Sequence, residues 1–270
     1  MKWVLRIIGG LVTALIVMII VMAGVIAWDV NMGVSASTVT NTEFTAEDGT
    51  TIQGYLAVPE GEGTFPAVLM VHEWWGINHE IIELADELAS EGYVVFAPDV
   101  YRGQVASTVP GALYLRINVD MERVDNDMFA VYNFLLEQPQ VADSVGVVGF
   151  CFGGDVAFNH GISNPNLDAV INLYGSTRTD GDAFGELLGD DAPPILGIFG
   201  REDQGIPVVD VEAHETALNE AGVENTITIY DDMGHAFVQP DTIQEAGAPQ
   251  DAWQQILTFF DTHLNDEPSS

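Results

Sequence analysis

The sequence predicts an α/β fold, a mostly parallel central sheet flanked by helices and preceded by one N-terminal transmembrane helix. Three observations carry that expectation. Short apolar runs without polar alternation recur along the chain, as strands buried on both faces require. Segments with apolar residues at helical spacing separate those runs, so strand and helix alternate. Ahead of them, Ile7 to Trp28 contain no charged residue and are long enough for a membrane span of about 20 residues.

Taken in order, Lys2 and Arg6 precede the apolar run and Asp29 follows it. That asymmetry places the N-terminus in the cytoplasm and the rest of the chain outside. The run exceeds the ~7–15 apolar residues of a cleavable signal, which favours an uncleaved anchor over 1–28. Val34-Ser35-Ala36 nevertheless offers a small-residue cleavage pattern, and a cleaved chain would be secreted. Residues 29–37 read as a linker, 38–264 as one α/β domain and 265–270 as a polar tail.

The domain opens with strand-like segments, Thr38 to Ala46 and Thr51 to Val58, joined by a turn containing Asp48-Gly49. Next comes an apolar strand, Ala67 to His72, and a helix presenting Ile81, Leu84, Ala85 and Leu88 until Gly92 stops it. The pattern repeats: strand Val94 to Ala97, a helix with Met128, Val131, Tyr132 and Leu135 on one face, strand Ser144 to Gly149, and a helix after Cys151. Further strands are expected at Ala169 to Tyr174, Ile195 to Phe199 and Thr226 to Tyr230. A helix around Val208 to Ala221 lies between the last two. The final helix carries Trp253, Ile256, Leu257 and Phe260, with Pro249 in its first turn.

Composition narrows the function. Of 270 residues 47% are hydrophobic, enough for a substantial core. Against 41 acidic side chains stand seven basic ones, and a net charge of −34 repels phosphate backbones, so nucleic acid is not an expected partner. Lys2 is the only lysine. Such a carboxylate surface repels itself in dilute buffer, and molar salt screens it, which points to a salt-adapted, halophilic protein. With one cysteine, Cys151, neither an internal disulfide nor a CxxC zinc site can form.

The chemistry-bearing residues cluster after strands. Gly149-Phe150-Cys151-Phe152-Gly153-Gly154 has the strand, turn and helix context of a nucleophile elbow, with Cys in place of Ser. Free cysteines usually end in a core, but the flanking glycines and the helix start favour an exposed, activated thiolate. A thiolate needs a base and an orienting acid, and these are expected after later strands in the order acid, base. Asp203, in Gly200 to Pro207, and His235, in Gly234-His235-Ala236-Phe237, fit that order. Either residue alone has a bland reading, a helix cap or a structural histidine; together they make a triad. His72-Glu73 lacks the second histidine of a zinc HExxH motif because position 76 is Gly. His160, His214 and His263 fall on expected helices without partners. No metal and no cofactor are expected.

With these residues in place the chain resembles the dienelactone hydrolase family of the α/β-hydrolase fold. The resemblance spans about Thr38 to Leu264. It rests on His72-Glu73-Trp74-Trp75-Gly76-Ile77-Asn78, Ala97-Pro98-Asp99-Val100-Tyr101, the Cys151 elbow, the acid loop and the His235 loop. It implies a Cys151, His235, Asp203 triad, with the backbone N–H groups of Phe152 and Trp74 as the oxyanion hole. It also implies that Glu73 contacts the resting thiol and helps take its proton. Tyr101 and Arg102 become candidate substrate contacts, although Arg102 stands one residue early for the family pattern and Gln239 replaces a second arginine.

The resulting expectation is a membrane-anchored, externally facing hydrolase. It would cleave esters or lactones of small substrates through an acyl-thioester. The alternative from another class is a catalytically retired scaffold that binds a ligand or partner.

Overall fold

In the computed structural model, residues 2–179 and 192–265 are described. The expected polar tail beyond Asn265 lies outside them. Helix α1 (Lys2–Met32) leaves its apolar side chains exposed from Ile7 through Val25 and ends at Gly33, whose N–H donates to the Asp29 carbonyl. It therefore continues past the expected boundary at Trp28, and the linker is only partly irregular. Asp29, Val30 and Ala36 are buried, and Ser35 caps a 3-10 turn at Ala36–Thr38. That turn shortens the first expected strand to β1 (Thr42–Thr45).

β1 and β2 (Thr51–Ala57) form the antiparallel hairpin, closed by Asp48 accepting the Thr50 N–H at 2.8 Å and by Gly49 at φ 86°. The alternation then runs β3 (Phe65–Val71), α2 (His79–Ser90), β4 (Val94–Pro98), α3 (Val109–Asn118) and α4 (Met121–Leu136). It continues with β5 (Val141–Phe150), α5 (Phe152–Ser163), β6 (Ala169–Leu173) and β7 (Ile195–Gly200). The last elements are α6 (Val208–Glu220), β8 (Asn225–Tyr230) and α7 (Ala248–Leu264). Helix α3 is absent from the sequence expectation. Val109, Leu113, Tyr114, Leu115 and Ile117 leave it without the polar face that reveals an amphipathic helix.

All eight strands share one sheet in the order β1-β2-β4-β3-β5-β6-β7-β8, parallel from β4 to β8. Successive strand residues feed opposite cores, as a period of two demands. Leu69, Val71 and Phe96 pack with Met128, Val131 and Leu135 of α4 on one face. Val68, Met70 and Val95 pack with Leu84 and Leu88 of α2 and Phe260 of α7 on the other. Because the chain crosses from β4 over β3 to β5, the ends of β3 and β5 lie side by side, with Val71 paired to Gly149. The loops leaving those ends diverge, and such a switch point is where open α/β sheets assemble sites.

Candidate active site

Cys151 stands between the last residue of β5 and the first of α5 at φ 54°, ψ −112°, a conformation that costs a non-glycine residue about 1–3 kcal/mol. Its N–H is tied to the Leu173 carbonyl at 3.0 Å, and its side chain makes no capping bond. The glycines around it are spatial necessities. A Cβ on Gly149 would stand 1.8 Å from the Gly153 carbonyl oxygen, and one on Gly153 would stand 2.1 Å from that of Val71. The tight crossing of β5, β3 and α5 therefore admits no side chain at either position.

The thiol is not the resting thiolate that the helix start suggested. Burial, and then the carboxylate of Glu73, push its pKa up to about 12, overriding the backbone N–H groups of Phe152 and Trp74 that act in the opposite direction. Those two N–H groups belong to the start of α5 and to the loop after β3.

Asp203 and His235 follow β7 and β8, adjacent strands whose trailing loops are joined by Glu202 N–H donating to the Met233 carbonyl at 2.8 Å. Gly200 permits this approach, since a Cβ there would lie 2.3 Å from the Met233 oxygen. His235 Nδ1 and Asp203 Oδ2 are 2.6 Å apart. The carboxylate can only accept, so Nδ1 carries the proton and Nε2 is left as the base. Tyr174, fully buried at φ 38°, supports the imidazole with its ring 5.2 Å away. No hydrogen bond joins Cys151 Sγ to His235 among the described residues.

Glu73 is buried beside both, and its Oε1 has no hydrogen-bond partner. Burial lifts its pKa to about 7, while His235 pulls the other way. His72, also fully buried, is a structural tie rather than a ligand. Its Nδ1 lies 2.6 Å from the Glu73 carbonyl and its Nε2 accepts the Val100 N–H at 3.3 Å, joining the ends of β3 and β4. Burial lowers its pKa to about 4, which keeps it neutral for that dual role.

The remaining expected contacts divide. Tyr101 is buried against Phe152 with ring centroids 5.4 Å apart, and its hydroxyl is unpartnered. Arg102 reaches both oxygens of Asp127 at 2.7 and 2.8 Å and shares that carboxylate with Arg123. The cation nearer the elbow is Arg116 of α3, which the sequence reading missed. Its guanidinium lies 4.9 Å over the Phe152 ring and pairs with Asp155 at 3.0 Å. The one sequence signal for it is scarcity, because the chain has only seven basic residues. The expectation that His160 and His214 lack partners is corrected. His160 lies 3.3 Å from Asn164, and His214 Nδ1 lies 2.7 Å from the Arg178 carbonyl oxygen.

Beside Glu73 opens a cleft of about 460 Å³ lined by Glu80, Glu83, Asp241, Trp75, Ala236 and Gln239. It presents carboxylates and no cation to whatever enters.

The dienelactone hydrolase family model matches residues 52–264. A relative from Aquifex aeolicus named "Putative carboxymethylenebutenolidase" is 31% identical over 229 residues, 81% of this chain and 96% of its own. One from Aquifex pyrophilus, "Protein usf", is 30% identical over 231 residues, 81% of this chain and 96% of its own. The crystal structure of a "Putative Dienelactone Hydrolase" from Klebsiella pneumoniae superposes with TM-score 0.70 at 27% identity, covering 82% of this chain and 99% of that one. An elbow after β5, an acid after β7, a histidine after β8 and these matches lead to one conclusion: the chain is a hydrolase belonging to the dienelactone hydrolase family, with the α/β-hydrolase fold.

Proposed function

We propose that the protein is a cysteine hydrolase of small esters or lactones, working through Cys151, His235 and Asp203. The observation that carries this reading is the 2.6 Å pairing of His235 with Asp203 on the same sheet edge that presents Cys151 in the strained elbow. Substrate binding brings the carbonyl carbon to Sγ. The thiol proton passes to Glu73, whose pKa of about 7 suits a base at neutral pH. Sulfur attacks, and the carbonyl oxygen becomes an oxyanion held by Phe152 and Trp74 N–H groups. The C–O bond to the leaving alcohol breaks as that oxygen takes the proton held by Glu73, which returns to its carboxylate form. Water deprotonated by His235 Nε2 then attacks the thioester, the C–S bond breaks to release the acid, and the imidazolium returns its proton to the departing sulfur, restoring the thiol.

The acidic cleft favours uncharged or cationic leaving groups, because an anionic one would meet Glu80, Glu83 and Asp241. Arg102 and Arg116 are each ion-paired, to Asp127 and Asp155, and Arg116 is singled out by its position 4.9 Å over the Phe152 ring, where it can meet an anionic substrate group. The uncharged Ile7–Trp28 stretch of α1, with Lys2 and Arg6 before it, supports an anchor that holds the domain on the extracytoplasmic side. Hydrolysis of p-nitrophenyl acetate by the full chain, lost on alkylation with iodoacetamide at the sole thiol, tests the reading. Turnover that survives complete alkylation of Cys151 rejects the cysteine nucleophile, and a full chain that turns over no ester before alkylation favours a binding scaffold.

A further inference from the structure

The junction between α1 and the domain is built as a fixed joint. Asp29 is fully buried, and its carboxylate accepts from the Ser107 N–H at 3.0 Å, the Thr108 N–H at 3.0 Å, the Thr108 hydroxyl at 2.6 Å and the Ser107 hydroxyl. Thr108 is the N-cap of α3, so Asp29 places a negative charge against the exposed amides of that helix start. Gly111 makes room for it, since a Cβ there would lie 2.0 Å from Asp29 Oδ2. Val30 enters the core beside it and Ile26 packs against that core.

The joint leaves α3 at the foot of α1 with an apolar face uncovered. Val109, Leu113 and Ile117 recur at four-residue spacing, Ile117 is 70% exposed, and Tyr114 beside them lines a groove with Ala23, Ile26, Ala27 and Val30 of α1. No Asp or Glu occurs between Asp99 and Asp120, in a chain with 41 of them. The two cations in that stretch, Arg102 and Arg116, are both ion-paired inward. An apolar, acid-free patch on an otherwise carboxylate-rich surface marks a face made for something other than water. Its continuity with an apolar helix that is exposed along its length selects lipid over another protein.

We propose that α3 and the foot of α1 form one lipid-contacting surface, so that the hydrolase domain is seated on the bilayer instead of hanging from a flexible tether. This rests on the reading of α1 as a membrane anchor and goes beyond it by fixing the orientation of the domain. α3 also carries Arg116 over Phe152, so the seated surface forms the back of a wall of the candidate site.

The test uses the full chain in phosphatidylcholine vesicles at molar KCl, in a Cys151→Ala background. Ile117→Cys or, as a control on exposed α6, Thr216→Cys carries an environment-sensitive fluorophore. The label at 117 is expected to shift to the blue and to be quenched by nitroxide-labelled phosphatidylcholine severalfold more than the label at 216. Equal quenching at the two positions overturns the proposal while leaving the anchor intact. So does a blue shift at 117 without lipid quenching, which would mean a second protein copy covers the face. Release of the chain by alkaline carbonate overturns the anchor and the seating together. Asp29→Ala should keep the chain in the membrane yet lose most of the quenching at 117, and unchanged quenching would overturn the joint.

Discussion

His235 and Asp203, 32 positions apart in sequence, meet through a single 2.6 Å contact in which one partner is hidden and the other is not. The Asp203 side chain is 3% exposed, whereas that of His235 is 38% exposed. Asp203 Oδ1 accepts the N–H groups of Gly205 and Ile206 at 2.8 and 3.2 Å, leaving Oδ2 to orient the imidazole. The carboxylate is thus built into its loop, and of the two side chains only the imidazole is accessible.

Asp203→Asn should keep those loop bonds yet turn the histidine, because an amide can donate to Nδ1 and stabilise the wrong tautomer. We expect kcat for ester hydrolysis to fall by roughly 10³–10⁴, with the melting temperature nearly unchanged. Steady-state kinetics beside a thermal melt checks both halves, and a merely structural role for Asp203 would move the melt instead.

Cys151→Ala should abolish turnover, and Cys151→Ser should leave weak activity at most, since a hydroxyl in the same buried elbow is harder to ionise than the thiol. Intact-mass spectrometry of the parent after mixing with p-nitrophenyl acetate should show one acetyl group, absent from Cys151→Ala. An acetyl group on both proteins would move the nucleophile elsewhere.

Glu73 offers a test in which stability and activity part company. Its folded pKa is raised from the ordinary carboxylate value to about 7 by burial, so it favours the proton in the folded state. Below about pH 4.5 both states hold the proton and no penalty exists. As pH rises toward 7 the fold loses stability, on the order of 3 kcal/mol at most. Glu73→Gln should therefore melt higher than the parent at pH 8 and alike at pH 4, while turnover falls at both values where the parent is active. A variant that melts lower at pH 8 would show that the carboxylate is paired rather than stranded.

Raising KCl from ~0.1 to ~3 M should lift the melting temperature of the full chain by on the order of 10 °C, because the Debye length shrinks severalfold around a chain with 41 acids against seven bases. A melt that does not respond to salt would remove the argument for a salt-adapted surface.

Several features were legible from residue order alone. Seven of the eight strands and the helices carrying Leu84, Met128 and Phe260 announce themselves, because strands buried on both faces and amphipathic helices leave different periods in a sequence. The first strand was placed too early, since Ser35 caps a turn that propensity does not reveal. The placement of Cys151, Asp203 and His235 after β5, β7 and β8 is legible because each follows a strand in a glycine-marked loop, a local signature. Helix α3 was hidden by lacking a polar face, and the burial of Asp29 was hidden because its partners, Ser107 and Thr108, are far along the chain. Arg102 and Arg116 show the same limit. By sequence the first stands beside the Tyr101 motif and the second is unremarked, yet packing turns the first into Asp127 and lays the second over Phe152. The protonation of the resting thiol was likewise a tertiary decision. A helix start favours the thiolate locally, but the water excluded by the surrounding chain and the buried charge of Glu73 outweigh it, and neither is a property of neighbouring residues in the sequence.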